Sequence, residues 1–282
     1  MKVEHELSAL CAALAVTRSG YHAWVKAEAS ARRQADAMLL PKIQALHREH
    51  QGRYGAPRIH RELAAQGRKH GCKRIARLMR QAGLRGLSPK RQVPQTTQSD
   101  HDQPIAPNRL ATASPPTQPN QIWVSDLTYV PTHEGWLYAG VVMDLWSRKI
   151  VGRATGPTRH ASLSANALKM AVRQRQPTRG CLHHSDRGVQ YASREYRDWL
   201  QLAGLTPSMS RAGNPYDNAA MESFMATYKR ECVGLAETAG GYATRAEASH
   251  DFFAYVEKYY NRVRRHSALG YQTPVDFEHQ LN

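Results

Sequence analysis

The chain has 282 residues, 41% of them hydrophobic, enough for one substantial core and a small satellite domain. No apolar run approaches the roughly eighteen residues of a membrane span, the acids of Met1-Lys2-Val3-Glu4-His5-Glu6 come too early for a secretory signal, and Cys11, Cys72, Cys181 and Cys232 form no C-x-x-C pair. A cytoplasmic protein with reduced thiols, no membrane association and no zinc site is expected, and the net charge of +16 points to a polyanionic partner.

That charge sits at one end. Residues 1–92 carry 19 Lys and Arg against 6 Asp and Glu, so +13 of the +16 lies there. A merely solvated basic surface needs no such concentration, whereas separate binding and chemistry domains produce it. In segment 1–50, Leu7, Leu10, Cys11 and Leu14 recur at helical spacing. After a break, Ser19 is positioned to cap a second helix carrying Tyr21, Trp24 and Val25, with Tyr21 and Trp24 read as core. The segment is expected to resemble a helix-turn-helix. In segment 51–92, Pro57 can open a helix with Ile59 and Leu63 on one face. Gly67 and Gly71 frame a turn, and Ile75, Leu78 and Met79 mark the next helix, up to Gly83. Such hairpins are common away from DNA. This one adds Lys73, Arg74, Arg77 and Arg80, cations that can reach phosphates while the apolar face packs inward.

Residues 93–119, rich in Pro, Gln and Thr, have linker composition. From residue 120 the pattern changes. Residues 122–130, 136–145 and 149–154 read as three strands joined by short turns, hence antiparallel neighbours. A helix over 162–175, a strand over 181–184, a helix over 193–203 and a strand over 206–210 follow, then a helix containing Glu222. This order describes an α/β layer fold. In the last helix Met221, Phe224, Met225 and Tyr228 share an apolar face. Glu222 and Lys229, seven residues apart, lie within about 20° of each other on another face.

Three acids stand out. Asp126 lies inside the first of these strands, Asp186 just past a later one, and Glu222 on the helix. Ligands of open sheets bind beyond the carboxyl ends of strands, where such acids can converge. Singly they read as a strand-edge charge, a turn aspartate and a solvated helix residue; jointly they do not. Asp144 reads as structural, at a strand end beside Arg148. His183 and His184 read as hydrogen-bonding core residues, since no further ligands stand at metal spacing. Arg211 and Asn214, in the loop before the glutamate helix, are candidates for DNA contact. Arg262, Arg264, Arg265 and His266 either bind DNA or cover the core.

Trp123-Val124-Ser125-Asp126-Leu127-Thr128-Tyr129, His184-Ser185-Asp186-Arg187-Gly188 and Asp217-Asn218-Ala219 with Glu222-Ser223-Phe224 resemble the integrase-like DDE transposases of bacterial insertion sequences, in particular the second-frame (OrfB-type) product of the two-frame group. Lys229 falls where that family has a basic residue seven after its glutamate. Tyr260-Asn261, Arg265-His266-Ser267, Leu269-Gly270-Tyr271 and Thr273-Pro274 resemble its C-terminal motif. Asn108, Pro119 and Asn120 resemble its entry to the core. Tyr54-Gly55, Arg77-Leu78-Met79 and Gly83-Leu84 resemble its small N-terminal helical domain. The resemblance covers nearly the whole chain.

It implies an α/β, ribonuclease-H-like catalytic core of the retroviral-integrase type with C-terminal helices over 120–282, preceded by an all-helical N-terminal region. It implies Asp126, Asp186 and Glu222 as catalytic, metal-binding residues holding two Mg2+ ions, with Mn2+ able to substitute, and a transposase that cleaves DNA and transfers strands. The expected partners are DNA at element ends and target, further copies of the chain in a homo-oligomer on DNA, and a first-frame (OrfA-type) product as partner or fusion. The alternatives are a ribonuclease-H-like nuclease without joining activity and a catalytically inactive DNA-binding regulator.

Overall fold

The computed structural model describes residues 6–26, 30–88, 103–211 and 215–280, in two compact units, Met1–Gly86 and Leu87–Asn282. The first is helical: α1 (Leu7–Ala13), α2 (Arg18–Lys26), α3 (Ala31–Glu49), α4 (Ala56–Ala65) and α5 (Cys72–Gln81). Helix α2 starts before the expected cap. The Thr17 hydroxyl, not Ser19, accepts the Gly20 amide at 3.0 Å, the bond of an N-cap, and Ser19 lies inside the helix. Nor is Trp24 core: it is 71% exposed, and α2 buries no residue.

Helix α3 went unread in the sequence. It is capped by Ser30, which accepts the Arg33 amide, and it buries Leu39, Ile43 and Leu46 against α4 and α5. Pro57 stands in the first turn of α4, which buries Ile59 and Leu63. Ile75, Leu78 and Met79 are the buried face of α5. Gly67 and Gly83, just past these two helices, have φ of +76° and +68°, the left-handed conformation that stops a helix.

The second unit is built on one five-stranded sheet of order β3-β2-β1-β4-β5. Strands β1 (Ile122–Thr132), β2 (Gly135–Asp144) and β3 (Ile150–Gly156) form an antiparallel meander. Helix α6 (Ala161–Arg175) leads to β4 (Leu182–Ser185); α7 (Val189–Ala192) and α8 (Arg194–Leu202) lead to β5 (Thr206–Met209). Both β4 and β5 run parallel to β1, and with α9 (Ala219–Tyr228) this is the expected ribonuclease-H-like order.

Both faces of the sheet are covered. One core joins Trp123 and Val142 to α6 and α8. There Gly152 is required, because a Cβ would stand 2.2 Å from the Ala167 carbonyl of α6. The other core joins Val124, Val130 and Met143 to Met221, Phe224, Met225 and Tyr228 of α9, the apolar face expected from helical spacing. Beyond α9 the chain widens into a π-helical turn, Lys229–Val233, and continues through α10 (Gly234–Thr238) and α11 (Arg245–Ala254). A second such turn, Tyr255–Tyr260, precedes α12 (Pro274–His279). Among the described residues no helix is long and apolar enough to cross a membrane.

Candidate active site

Strand pairing assembles the site. Val124 of β1 is in parallel register with His184 of β4, so Asp126, two residues on, and Asp186, one past the end of β4, leave the same edge of neighbouring strands. Asp126 accepts the Leu127 amide at 2.7 Å, and Asp186 accepts the Gly188 amide at 2.9 Å, closing the turn into α7. Glu222 stands in the first turn of α9, exposed on its outer side.

Two residues quoted only as motif flanks prove to be the anchors of that helix. The Asn218 amide donates to the Ser125 carbonyl at 3.2 Å, tying the start of α9 to the residue before Asp126. Asp217 accepts from Asn108 at 2.8 Å and from the Arg211 backbone amide at 2.9 Å, and it pairs with the Arg211 guanidinium at 3.0 Å. Asn108 therefore docks on the core, within a stretch whose composition suggested a linker.

Asp126 keeps some solvent contact but is densely surrounded. Burial first, and then the Asp186 charge, push its carboxyl up to about 8; Glu222 adds to this, while the Leu127 amide and the Lys229 charge oppose it. Burial also raises Glu222 and lowers Lys229, against the pull of Asp126. The repulsion falls on Asp126 because the carboxyl that ionises last meets the charges already present. Three acids and one lysine thus act on one point. Carboxylate oxygens are the donors that Mg2+ and Mn2+ prefer, and crowded negative charge is what a divalent cation relieves. As positioned, no three His, Cys, Asp or Glu side chains among the described residues stand close enough together to hold a metal ion, and Glu222 faces outward.

The remaining expected residues divide. The Lys229 ammonium lies 4.5 Å from the centroid of the Tyr129 ring. Arg211 is exposed but ion-paired to Asp217; Asn214 lies outside the described residues. On α5, Lys73 and Arg80 are exposed, whereas Arg74 and Arg77 are half-buried and pair with Asp36 of α3 at 2.6 and 2.5 Å. Asp36 is the one acid between Glu28 and Glu49, a signal the sequence did offer.

Asp144 is structural, as expected: fully buried, it accepts the Asn120, Trp146 and Ser147 amides. Its cation is Arg175 at 3.8 Å rather than Arg148. His183 bonds Ser125 and Tyr196 at 2.8 and 3.1 Å; His184 bonds Ser208 and Ser210 at 2.9 and 3.0 Å. Burial pushes the two imidazoles down to about 3 and about 4, so both are neutral struts. Arg264 covers the core: it is buried and makes two bonds to buried Glu231, at 2.7 and 2.8 Å. His266 is likewise buried, while Arg262 is exposed.

Comparison with known proteins agrees with this architecture. Two integrase core domain models match residues 116–215 and 203–274, and an HTH-like domain model matches residues 33–92. The chain is 43% identical over 273 residues to the insertion element IS600 uncharacterized 31 kDa protein of Shigella sonnei, covering 97% of this chain and 98% of that one. It is 37% identical over 281 residues to transposase InsF for insertion sequence IS3A of Escherichia coli K12, covering 99% and 96%. Among solved structures, a chain of the cryo-EM structure of the simian T-cell lymphotropic virus intasome in complex with PP2A regulatory subunit B56 gamma matches with a TM-score of 0.50 at 14% identity. The match covers 80% of this chain and 74% of that one and carries the fold alone.

Proposed function

The chain belongs to the insertion-sequence transposases with an integrase core, and on that premise we propose that Asp126, Asp186 and Glu222 are the carboxylates at which its polynucleotidyl-transferase chemistry takes place. The observation that carries this is the parallel register that sets Asp126 beside Asp186 at the ends of neighbouring strands, with Glu222 near enough that both charges act on the half-buried Asp126. Burial also raises the structural Asp144; what sets Asp126 apart is that the charges of two further acids press on it, and crowded negative charge is what a divalent cation relieves. Neither alternative, a nuclease that cannot join or an inactive regulator, draws support from the relatives.

The three carboxylates would hold two Mg2+ ions, or Mn2+, which supply positive charge to the attacking and leaving oxygens of an in-line displacement. The protein's own share is positional. Asp126 would serve as a carboxylate to the bound cations, and Asp186 is held by its turn. Glu222, exposed at the start of α9, keeps rotamer freedom to complete the set. Lys229, about 10 Å along the helix from Glu222 at 1.5 Å per residue, is placed for a phosphate beside the scissile one. Arg211, and Asn214 three residues on in the sequence, would contact the DNA.

Segments 1–50 and 51–92 would bind DNA, chiefly through Lys73 and Arg80, with Arg74 and Arg77 shared with Asp36. Residues 93–119 would connect them to the chemistry in 120–282. The protein would work in the cytoplasm as a homo-oligomer on DNA, with a first-frame (OrfA-type) product as partner or fusion.

The test is Asp126→Asn, Asp186→Asn and Glu222→Gln, each assayed for cleavage and joining of labelled element ends. Each should lose activity by more than the roughly 100-fold typical of an outer-shell group while duplex binding survives. Full activity in any one removes that residue from the site.

A further inference from the structure

Three residues along β1 from Asp126, two large rings are partly exposed. Tyr129 of β1 is 42% exposed and Trp136 of β2 is 48% exposed. Their ring centroids are 5.0 Å apart and their planes cross at 83°. The hairpin register sets Tyr129 opposite Tyr138 and Trp136 opposite Pro131, which puts both rings on one face of the sheet, that of Leu127 and Gly140, while Asp126 points to the other. The Lys229 ammonium stands 4.5 Å from the Tyr129 centroid and feels the Asp126 charge. Tyr129 follows Asp126 by three residues, about 10 Å of extended strand.

Aromatic rings return free energy when buried, so core packing does not account for an exposed pair at this point. Its setting does. Presenting one strand's phosphodiester to a cluster of carboxylates draws that strand out of its duplex path, and the base beside it loses pairing and stacking. Aromatic faces next to a cation replace what is lost, stacking the base while the cation takes its phosphate. At about 3.4 Å of rise per nucleotide, the distance from Asp126 to Tyr129 spans roughly three nucleotides.

We propose that Tyr129 and Trp136 form a stacking ledge for an unpaired base of the element end, within about three nucleotides of the cleaved phosphodiester, with Lys229 on the adjoining phosphate. The proposal rests on the carboxylate site assigned above, but its test does not require catalysis. Binding by the full chain is measured in EDTA on element-end duplexes whose last three pairs are either matched or mismatched. The same positions are replaced by 5-iodouracil for photo-cross-linking.

Wild-type protein should prefer the mismatched end by about 5- to 100-fold, the range of one stacked base, and should cross-link at Tyr129 or Trp136. Tyr129→Ala and Trp136→Ala should erase the preference, and Tyr129→Phe and Trp136→Phe should keep it. Equal affinity of the wild type for both ends overturns the ledge, as do cross-links to these rings from target duplex only. Asp126→Asn should retain both preference and cross-link, so failure of the ledge and failure of the carboxylate assignment are told apart.

Discussion

Replacing Asp126 by Asn should make the metal-free protein more stable at neutral pH while destroying its chemistry. The carboxyl ionises near 3.8 in an unfolded chain and near about 8 in the folded one. Between those values the native state keeps a proton that the unfolded state has released, so stability is lost as pH rises from about 4 to about 8. At 1.36 kcal/mol per pH unit, the ceiling at pH 7 is about 4 kcal/mol. Partial solvent contact and the opposing Lys229 charge screen this to about 1–3 kcal/mol. The amide oxygen of Asn can still accept the Leu127 amide, so little else changes. Urea unfolding in EDTA at pH 5, 7 and 8 reads the effect directly: the gap between variant and wild type should widen with pH. A variant no more stable than wild type at pH 8, or a gap that ignores pH, would refute the claim that the site is held together against its own charge.

Two further outcomes follow from ion pairs. Arg264→Met removes the two short bonds to buried Glu231 and leaves it Arg230 at 4.0 Å, so stability should fall by up to about 3–5 kcal/mol in urea unfolding, whereas Glu231→Leu with Arg264→Met together should recover most of the loss; a change under about 1 kcal/mol would mean the pair is dispensable. Asp36→Asn releases Arg74 and Arg77, so the full chain should bind non-specific duplex more tightly at low salt, by roughly 3- to 10-fold, with a salt dependence steeper by about one released counterion. Unchanged affinity and slope in a filter-binding titration would show that these arginines do not face DNA.

How much of this was legible depended on how local its cause is. The sheet was legible because β-branched and aromatic runs separated by short turns leave few other arrangements, and the observed strands start and end within two residues of the expected ones. The buried face of α9 was legible from spacing alone. Helix α3 was not, because its buried residues Leu39, Ile43 and Leu46 begin only near its middle and Pro41 sits among them, where a proline ordinarily argues against a helix. Trp24 was misplaced because a large apolar residue is core by default, while α2 has no partner surface that buries it. Arg264 stayed undecided because its partner, Glu231, lies 33 residues away and no periodicity links them.

The three acids stand out by their flanks; the balance of charge around Asp126 does not. Residues 93–282 contribute only +3 of the +16, and among the charges acting on Asp126 are those of Asp186 and Glu222, opposed by Lys229. A phosphodiester brought to that point meets net repulsion, which one half-buried lysine does not offset. The reaction therefore needs cations that the core does not carry in its own side chains, and it needs binding free energy from elsewhere on the molecule. The +13 of residues 1–92 is suited to the second need, because phosphate contacts made there hold DNA without entering the site. On the proposed reading the uneven charge follows from the chemistry: a centre whose carboxylates would hold metal is ill suited to be also the surface that captures a polyanion.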